Sequence, residues 1–336
     1  MEAIFMARND EKIKTVYHDD MVEKYFSLLS PVKVTTKEDV QSNKDDYKDT
    51  RFIFSTWYMS EFTVDEVKSL FPSLEAVFYA AGTVKYFAEP FLNAGVRVFS
   101  AAKANGIPVA EFTASQIILA NKGYFQAQLA YRKPMYRAAY NKAYSYINAK
   151  PGNYRAKVGL IGAGTVGRKV IELLKPYHIR LCVYDPYTTD ETLVQLGVKR
   201  SSLEEMFADC DVISNHLPDI LETKRLLNYS LFSRMKNTAT FINTGRGAQV
   251  IEADLVKAIK EKPMACALLD VTSHEPMLPW SPLYRVKNIF VTPHMAGSNG
   301  TEEERMAEYM FEAYRDYIAG KSNFCEVTVD MLKTMA

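Results

Sequence analysis

Cysteine is scarce in this chain and poorly placed for any structural task. Only Cys182, Cys210, Cys266 and Cys325 occur in 336 residues, none in CxxC or other zinc-ligand spacing. That excludes a disulfide-stapled secreted scaffold and a zinc ribbon, and no metal site is expected. The four read as reduced thiols, three of them inside apolar runs. Net charge is nearly absent too: 41 Lys and Arg against 40 Asp and Glu leave +1. Such a balance offers no general attraction to nucleic acid or to an anionic membrane. No run reaches the ~18 apolar residues of a membrane span. The opening "MEAIFMARND" has no basic stretch leading into a long apolar one, so no secretion signal is expected. Internal repeats and low-complexity linkers are missing as well. The expectation is a cytoplasmic protein that binds neither nucleic acid nor membrane.

What is present suits a soluble globular chain of about two domains, 48% hydrophobic and 24% charged. Its first hundred residues alternate apolar strands with amphipathic helices. "EAIFMA", "RFIFST" (51–56), "EAVFYA" (75–80) and "VRVFSA" (96–101) read as strands. Thr63 and Glu66 have capping-box spacing for a helix between two of them. From Val109 to about Lys150 the pattern is helical, broken in two by Pro134. The second piece places Tyr136, Tyr140 and Tyr144 at i, i+4, i+8 among Arg132, Lys133, Arg137 and Lys142. This Tyr-rich segment, 131–146, reads as a packed helical face, with a subunit interface as one use.

Alternation restarts at Ala156. "KVGLIG", "IRLCVYD", "DVISNHL", "ATFINTG", "MACALLD" and "NIFVTP" are six strand candidates, the number of a complete doubly wound dinucleotide fold. Thr301 to about Gly320 reads as one amphipathic helix, with a capping box at Thr301 and Glu304, and the last sixteen residues as a short tail. In "KVGLIGAGTVGRKVIELL", Gly162, Gly164 and Gly167 form GxGxxG between a strand and a helix. Gly162 allows the tight turn, Gly164 lets backbone approach a pyrophosphate, and Gly167 lets helix pack on strand. Seventeen residues separate Gly167 from Asp185, which ends the next strand. An acid there accepts from ribose hydroxyls and repels a 2′-phosphate, and no Arg or Lys follows at once, so NAD is favoured over NADP.

Four segments, in order, carry a family resemblance: "VAEFTASQI" (109–117), "GAGTVG", "INTGRG" (242–247), and the pair "LDVTSHEP" and "TPHMAG" (292–297). With them the chain resembles the D-isomer-specific 2-hydroxyacid dehydrogenases from about Glu75 to Gly320. The resemblance implies an α/β protein of two Rossmann-like or flavodoxin-like domains, doubly wound parallel sheets with the active site in the interdomain cleft. It implies a discontinuous substrate domain, 1–110 plus 302–336, and an NAD-binding domain, 111–301, that includes linking and dimerisation helices at 109–150. A homodimer follows from it.

It also implies a catalytic trio. His294 would exchange the proton with the substrate oxygen, Glu275 would orient His294, and Arg246 would hold the substrate carboxylate and polarise its carbonyl. Glu275 sits beside His274 in sequence, yet neighbours on an extended chain point apart, so His274 is expected to be a bystander. Cofactor contacts would come from Gly162, Gly164, Thr165, Val166, Gly167, Asp185, Thr244, Gly245, Arg246, Asp270, His294 and Gly297, with Asp270 on the nicotinamide carboxamide. Substrate contacts would come from Ala81 and Gly82 amides, Asn105, Trp57 and Arg246. Two segments depart from the family pattern: "GTVKYF" lacks its acidic residue, and "SAAKANG" introduces Lys103 in place of a proline–glycine form. "FSTWYMS" (54–60) holds no arginine for a phosphate, and its Trp57 and Met59 suggest an apolar or bulky substrate side group. The expected activity is NAD-dependent interconversion of a small D-2-hydroxy acid and a 2-keto acid. The alternative is an NAD(H)-sensing, corepressor-like binding protein of the same fold.

Overall fold

The computed structural model describes residues 2–9, 11–26, 32–333 and 335. They form two compact units, Met1–Gly106 with Ser298–Met335, and Ile107–Gly297. The strands of the first half are β1 (Ala3–Met6), β2 (Val34–Thr35), β3 (Phe52–Ser55), β4 (Ala76–Tyr79) and β5 (Arg97–Ser100). Those of the second are β6 (Lys157–Ile161), β7 (Arg180–Tyr184), β8 (Lys199–Arg200), β9 (Val212–Asn215), β10 (Thr240–Asn243), β11 (Cys266–Leu269) and β12 (Ile289–Val291). β13 (Glu326–Val327) closes the set.

The first unit holds a six-stranded sheet in the order β13-β5-β4-β3-β1-β2. β1, β3 and β4 are buried at every residue. Continuous apolar runs of this kind mark a parallel sheet covered on both faces. One face packs Phe5, Phe54 and Phe78 against Met310 and Phe311 of the helix Glu302–Ile318. The other packs Ile53, Val77 and Val98 against Leu70, Phe87 and Phe91. β13 joins β5 antiparallel, with Val327 opposite Val98, and Arg97 clamps Glu326 through two bonds of 2.7 and 2.6 Å. The expected C-terminal tail is therefore partly a strand, too short to show any period.

The second unit holds seven parallel strands in the order β12-β11-β10-β9-β6-β7-β8. All six expected strands are present. The seventh, β8, consists of two exposed basic residues, which leave no hydrophobic pattern to read. Each sheet reverses its strand order once, between β1 and β3 in the first and between β6 and β9 in the second. Ligands bind beyond the carboxyl ends of strands at such reversals.

Three helices occupy the stretch expected to hold two: Ala102–Asn121, Tyr124–Tyr131 and Tyr136–Asn148. The extra break is at Gly123, φ +70, where a Cβ would lie 3.1 Å from the Tyr146 carbonyl oxygen. The first helix starts inside "SAAKANG" and contains Pro108. The tyrosine stripe is not packed within the chain, for Tyr136, Tyr140 and Tyr144 are 83%, 48% and 45% exposed.

Thr63 caps the helix Val64–Leu70 through the expected reciprocal bonds with Glu66. Thr301 does not cap its helix. Its backbone is already helical (φ −64, ψ −14) and its side chain makes no capping bond; Glu302 instead accepts from the Asn299 amide at 3.0 Å. Among the described residues, no helix is long and apolar enough to cross a membrane.

Candidate active site

The glycine loop closes the carboxyl end of β6, and its three glycines answer to different pressures. Gly162 has φ +100, and a Cβ there would sit 2.8 Å from the His216 carbonyl oxygen at the end of β9. At Gly167 a Cβ would meet the Gly162 carbonyl oxygen at 2.2 Å, so helix and loop approach as only glycine permits. Gly164 is different. Nothing lies within 4 Å of its missing side chain, and it begins the helix Thr165–Leu174 without a side-chain cap. Thr165 is exposed and Val166 half-buried. An open glycine before uncapped helix N–H groups is the cradle a pyrophosphate requires, and a dinucleotide fits it.

Asp185, the residue directly after β7, is buried. Its Oδ2 accepts from the Ala163 amide at 2.7 Å, and its Oδ1 from the Tyr187 and Thr188 amides at 2.8 and 3.0 Å. A carboxylate has about four acceptor positions. One on Oδ2 remains for a ribose hydroxyl, while the others tie the glycine loop to the β7 turn. No basic residue follows Asp185 at once, but Arg200 of β8, fifteen residues further along, reaches this turn. Its donors go to Asp190 Oδ1 and the Asp185 carbonyl, both at 2.6 Å, and to the Thr188 carbonyl.

The ends of β11 and β12 bring distant residues together. Asp270, 2% exposed, accepts from Thr292 Oγ1 at 2.6 Å and from the Met295 and Ala296 amides at 2.9 Å. Its carbonyl accepts from the His294 amide at 2.9 Å. These bonds hold the turn in which His294 takes φ +54, a left-handed conformation that costs of order 1–3 kcal/mol in a non-glycine residue. Asp270 thus braces the histidine turn, a task the sequence did not reveal. Gly297 ends the turn and is half-buried.

His294 Nδ1 lies 2.6 Å from Glu275 Oε2, and Glu275 Oε1 accepts from the Thr272 amide at 3.1 Å. The bond fixes Nδ1 as the protonated partner of the carboxylate and leaves Nε2 for another group. His274 turns elsewhere, to Ser273 Oγ at 3.2 Å. At Gly247 a Cβ would lie 2.0 Å from the Thr272 carbonyl oxygen, so the loop bearing Arg246 presses on the loop bearing Glu275. The half-buried Arg246 donates Nη1 to the Gly245 carbonyl at 2.9 Å. Thr244 is buried and shares a 2.9 Å bond with Thr113. Beside Glu275 and His294 opens a cavity of about 730 Å³, which Asp270, Met277, Tyr284 and Val291 also line.

The residues expected to meet substrate from the first unit fare unevenly. The Ala81 amide already donates to the Tyr79 carbonyl at 2.9 Å in a tight turn after β4, which takes it out of use as an anion donor. Gly82 follows, with Asn105 Nδ2 3.3 Å from where its Cβ would be. Asn105 Oδ1 accepts from the Ser298 amide at 2.9 Å, which turns Nδ2 toward Gly82. Trp57 is half-buried against both core faces, with Lys12 Nζ 5.3 Å from its ring. Met59 is fully buried, and Tyr58 is 52% exposed at φ +67. The side chain this loop presents is therefore Tyr58, not the apolar pair expected. Arg8, which follows β1, was overlooked as a cation. Its amide donates to the Tyr58 carbonyl at 2.9 Å, and its Nη2 pairs with Glu61 at 2.6 Å. Its place beside the β1/β3 reversal was the available signal. Lys103 lies over the Phe324 ring at 4.6 Å.

A doubly wound sheet with an open glycine cradle and a carboxylate–imidazole pair at its carboxyl edge defines a dinucleotide-binding protein with an acid–base site. Residues 128–296 match the model of the D-isomer specific 2-hydroxyacid dehydrogenase, NAD binding domain, and the chain belongs to that family. Its dinucleotide is accordingly NAD. The chain is 37% identical to a glyoxylate reductase of Aeropyrum pernix over 164 residues, 49% of either protein. It is 29% identical to a D-3-phosphoglycerate dehydrogenase of Mycobacterium leprae over 270 residues, 80% of this chain and 50% of that one. These alignments span about half the length of each relative. The D-mandelate dehydrogenase of Rhodotorula graminis has the same fold, with a TM-score of 0.79 at 19% identity over 97% of each chain.

Proposed function

We propose that the chain is an NAD-dependent oxidoreductase that interconverts a D-2-hydroxy acid and a 2-keto acid. The 2.6 Å bond between His294 Nδ1 and Glu275 Oε2 carries this reading. NAD, when bound, supplies or accepts the hydride. The protein handles the proton and the charge. In the reducing direction His294 gives the Nε2 proton to the substrate oxygen, and Glu275 stabilises the cationic ring and sets its tautomer. Such general acid assistance contributes typically ~10²–10⁴ in rate. Arg246 clamps the substrate carboxylate and polarises the carbonyl, worth on the order of 3 kcal/mol.

By the family resemblance, Thr165 and Val166 lie against the pyrophosphate, Asp185 on the ribose, and Thr244, Gly245, Asp270 and Gly297 near the nicotinamide. The Gly82 amide and Asn105 hold substrate. Its remaining part is neutral overall on our reading, because the Arg8 charge is already balanced by Glu61. Trp57 supports Tyr58 rather than touching substrate itself.

Two further parts of the proposal concern setting. The chain forms a homodimer, with exposed Tyr131, Met135, Tyr136 and Tyr140 on the hairpin of helices as the contact; a light-scattering mass of one chain at micromolar concentration would refute this. It works in the cytoplasm, where its four free cysteines stay reduced.

The experiment that tests the activity is steady-state oxidation of NADH and of NADPH with a panel of neutral, aromatic and phosphorylated 2-keto acids. Turnover with NADH and a neutral keto acid is expected. Tight NAD binding with no turnover on any keto acid would replace the enzyme reading by that of a binding protein.

A further inference from the structure

We propose that Asn215 and Gln249 are positioning residues that set the place of Arg246, an inference that rests on Arg246 being the substrate clamp. Both are polar side chains with no exposure at all, and Asn243 between them is 1% exposed. Three buried carboxamides with nothing to hold would be costly, since a polar group left without a partner in a dry interior loses its water and gains nothing in return. Here every one is engaged, and the bonds converge on one short loop.

The chain of donors runs in a single sense. Gln249 Nε2 donates to the Leu217 and Pro218 carbonyls, both at 2.8 Å. Its Oε1 is thereby turned inward, where it accepts from Asn215 Nδ2 and from the Arg246 amide, the latter at 3.2 Å. Asn215 Nδ2 also donates to Asn243 Oδ1 at 3.0 Å, while Asn215 Oδ1 accepts from the Leu217 amide at 3.3 Å. Asn243 Oδ1 accepts further from the Gly245 amide at 3.1 Å, and its Nδ2 donates to the Arg246 carbonyl at 3.2 Å. Turning any one amide over would set donor against donor and acceptor against acceptor, so the three orientations fix one another.

The result is that both backbone polar groups of Arg246 end on this network, its N–H on Gln249 and its C=O on Asn243. Gly245 is drawn in so closely that a Cβ on it would lie 3.0 Å from both Asn215 Nδ2 and Gln249 Oε1. The guanidinium is anchored in turn to the Gly245 carbonyl. Asn215 ends β9 and Asn243 ends β10, neighbouring strands in register. The network therefore transfers the rigidity of two central strands to a loop that, by itself, has only glycines on either side of its arginine. A clamp must hold its geometry closely, since about 1 Å of misplacement can cost ~10² in rate. An anchored backbone lets a long side chain meet that demand.

The test uses Gln249→Met, which keeps the volume and removes all four bonds. Should that variant not fold, Asn215→Ser leaves the two carbonyl anchors of Gln249 in place. Three quantities are read: kcat and KM for the best keto acid, NADH affinity by fluorescence titration, and the rate at which phenylglyoxal modifies Arg246, followed by peptide mass. The expected result is a loss of about tenfold or more in kcat/KM, carried partly by KM. NADH affinity stays within about twofold and the Arg246 modification rate changes severalfold. An unchanged modification rate would overturn the proposal. So would NADH affinity falling as far as kcat/KM, the mark of general damage to the unit. If the wild-type chain turns over no keto acid, the functional reading fails by itself, and the phenylglyoxal rate still decides whether the network places Arg246.

Discussion

The fingerprint glycines separate binding from folding, and two alanine substitutions expose the difference. At Gly167 the added methyl would lie 2.2 Å from the Gly162 carbonyl oxygen and 3.1 Å from its carbon. Both obstacles are backbone, so helix and loop must part by roughly 1 Å to restore ordinary contact. Overpacking of this kind costs about 1–3 kcal/mol. Two backbones in collision belong at the upper end, so the unit should melt roughly 6–12 °C lower, at about 2–4 °C per kcal/mol for its size. At Gly164 the methyl meets nothing within 4 Å, and the backbone (φ −74, ψ −160) suits an L-residue. Gly164→Ala should fold as well as the parent, or better by about 0.4–1 kcal/mol through the unfolded chain. Its methyl would instead stand where the pyrophosphate approaches. NADH affinity should fall about tenfold or more, which is about 1.4 kcal/mol. Differential scanning fluorimetry and NADH fluorescence titration on both variants read the two effects separately. The reasoning is refuted if Gly164→Ala binds NADH like the parent, or if Gly167→Ala melts with it.

Three other outcomes follow from the site and its supports. His294→Ala should lose ~10²–10⁴ in kcat while His274→Ala stays near the parent; steady-state kinetics showing the reverse would reassign the acid. Burial pushes His216 down from 6.5 to about 4, its Nδ1 being sealed from solvent without a partner. The unfolded chain then takes up the proton first, so stability is full above pH ~6.5 and is lost as pH falls toward 4. Between pH 8 and pH 5 that loss is at most about 2 kcal/mol. Denaturant midpoints should accordingly shift less with pH in His216→Gln, and equal shifts would sink the idea. Thr63→Ala should cost about 1 kcal/mol as a true cap, whereas Thr301→Ala should stay within about 0.5 kcal/mol; similar losses in urea melts would show that Thr301 does cap its helix.

Most of what was readable beforehand is local. Strands such as "FIFS" and "AVFY" declare themselves because a parallel sheet buried on both faces demands unbroken apolar runs. The GxGxxG spacing is legible because Gly162 and Gly167 answer constraints within a few residues or beside the neighbouring strand, and Gly164 sits at a fixed place between them. Two-residue elements were not legible: β2, β8 and β13 are too short for any period, and their pairing comes wholly from the neighbouring strand. The Thr301 capping box failed because the chain, turning at Gly300 with φ +57, enters helical geometry one residue too soon for the side chain to reach back.

The sequence by itself determined the class of fold, the nucleotide loop and the order of the motifs, since these depend on residues near one another along the chain. Tertiary structure decided partnership. It closed to 2.6 Å the Glu275–His294 pair that the family motifs already implied, set Asp270 to brace the histidine turn, and joined Asn215 to Gln249 beneath Arg246. It buried Met59, exposed Tyr58 and brought Arg8 beside it. Each of these contacts spans many residues and depends on which loops the parallel strands bring to the same edge. No local pattern records that choice, because the side chains involved satisfy their polar groups only after the sheet has formed.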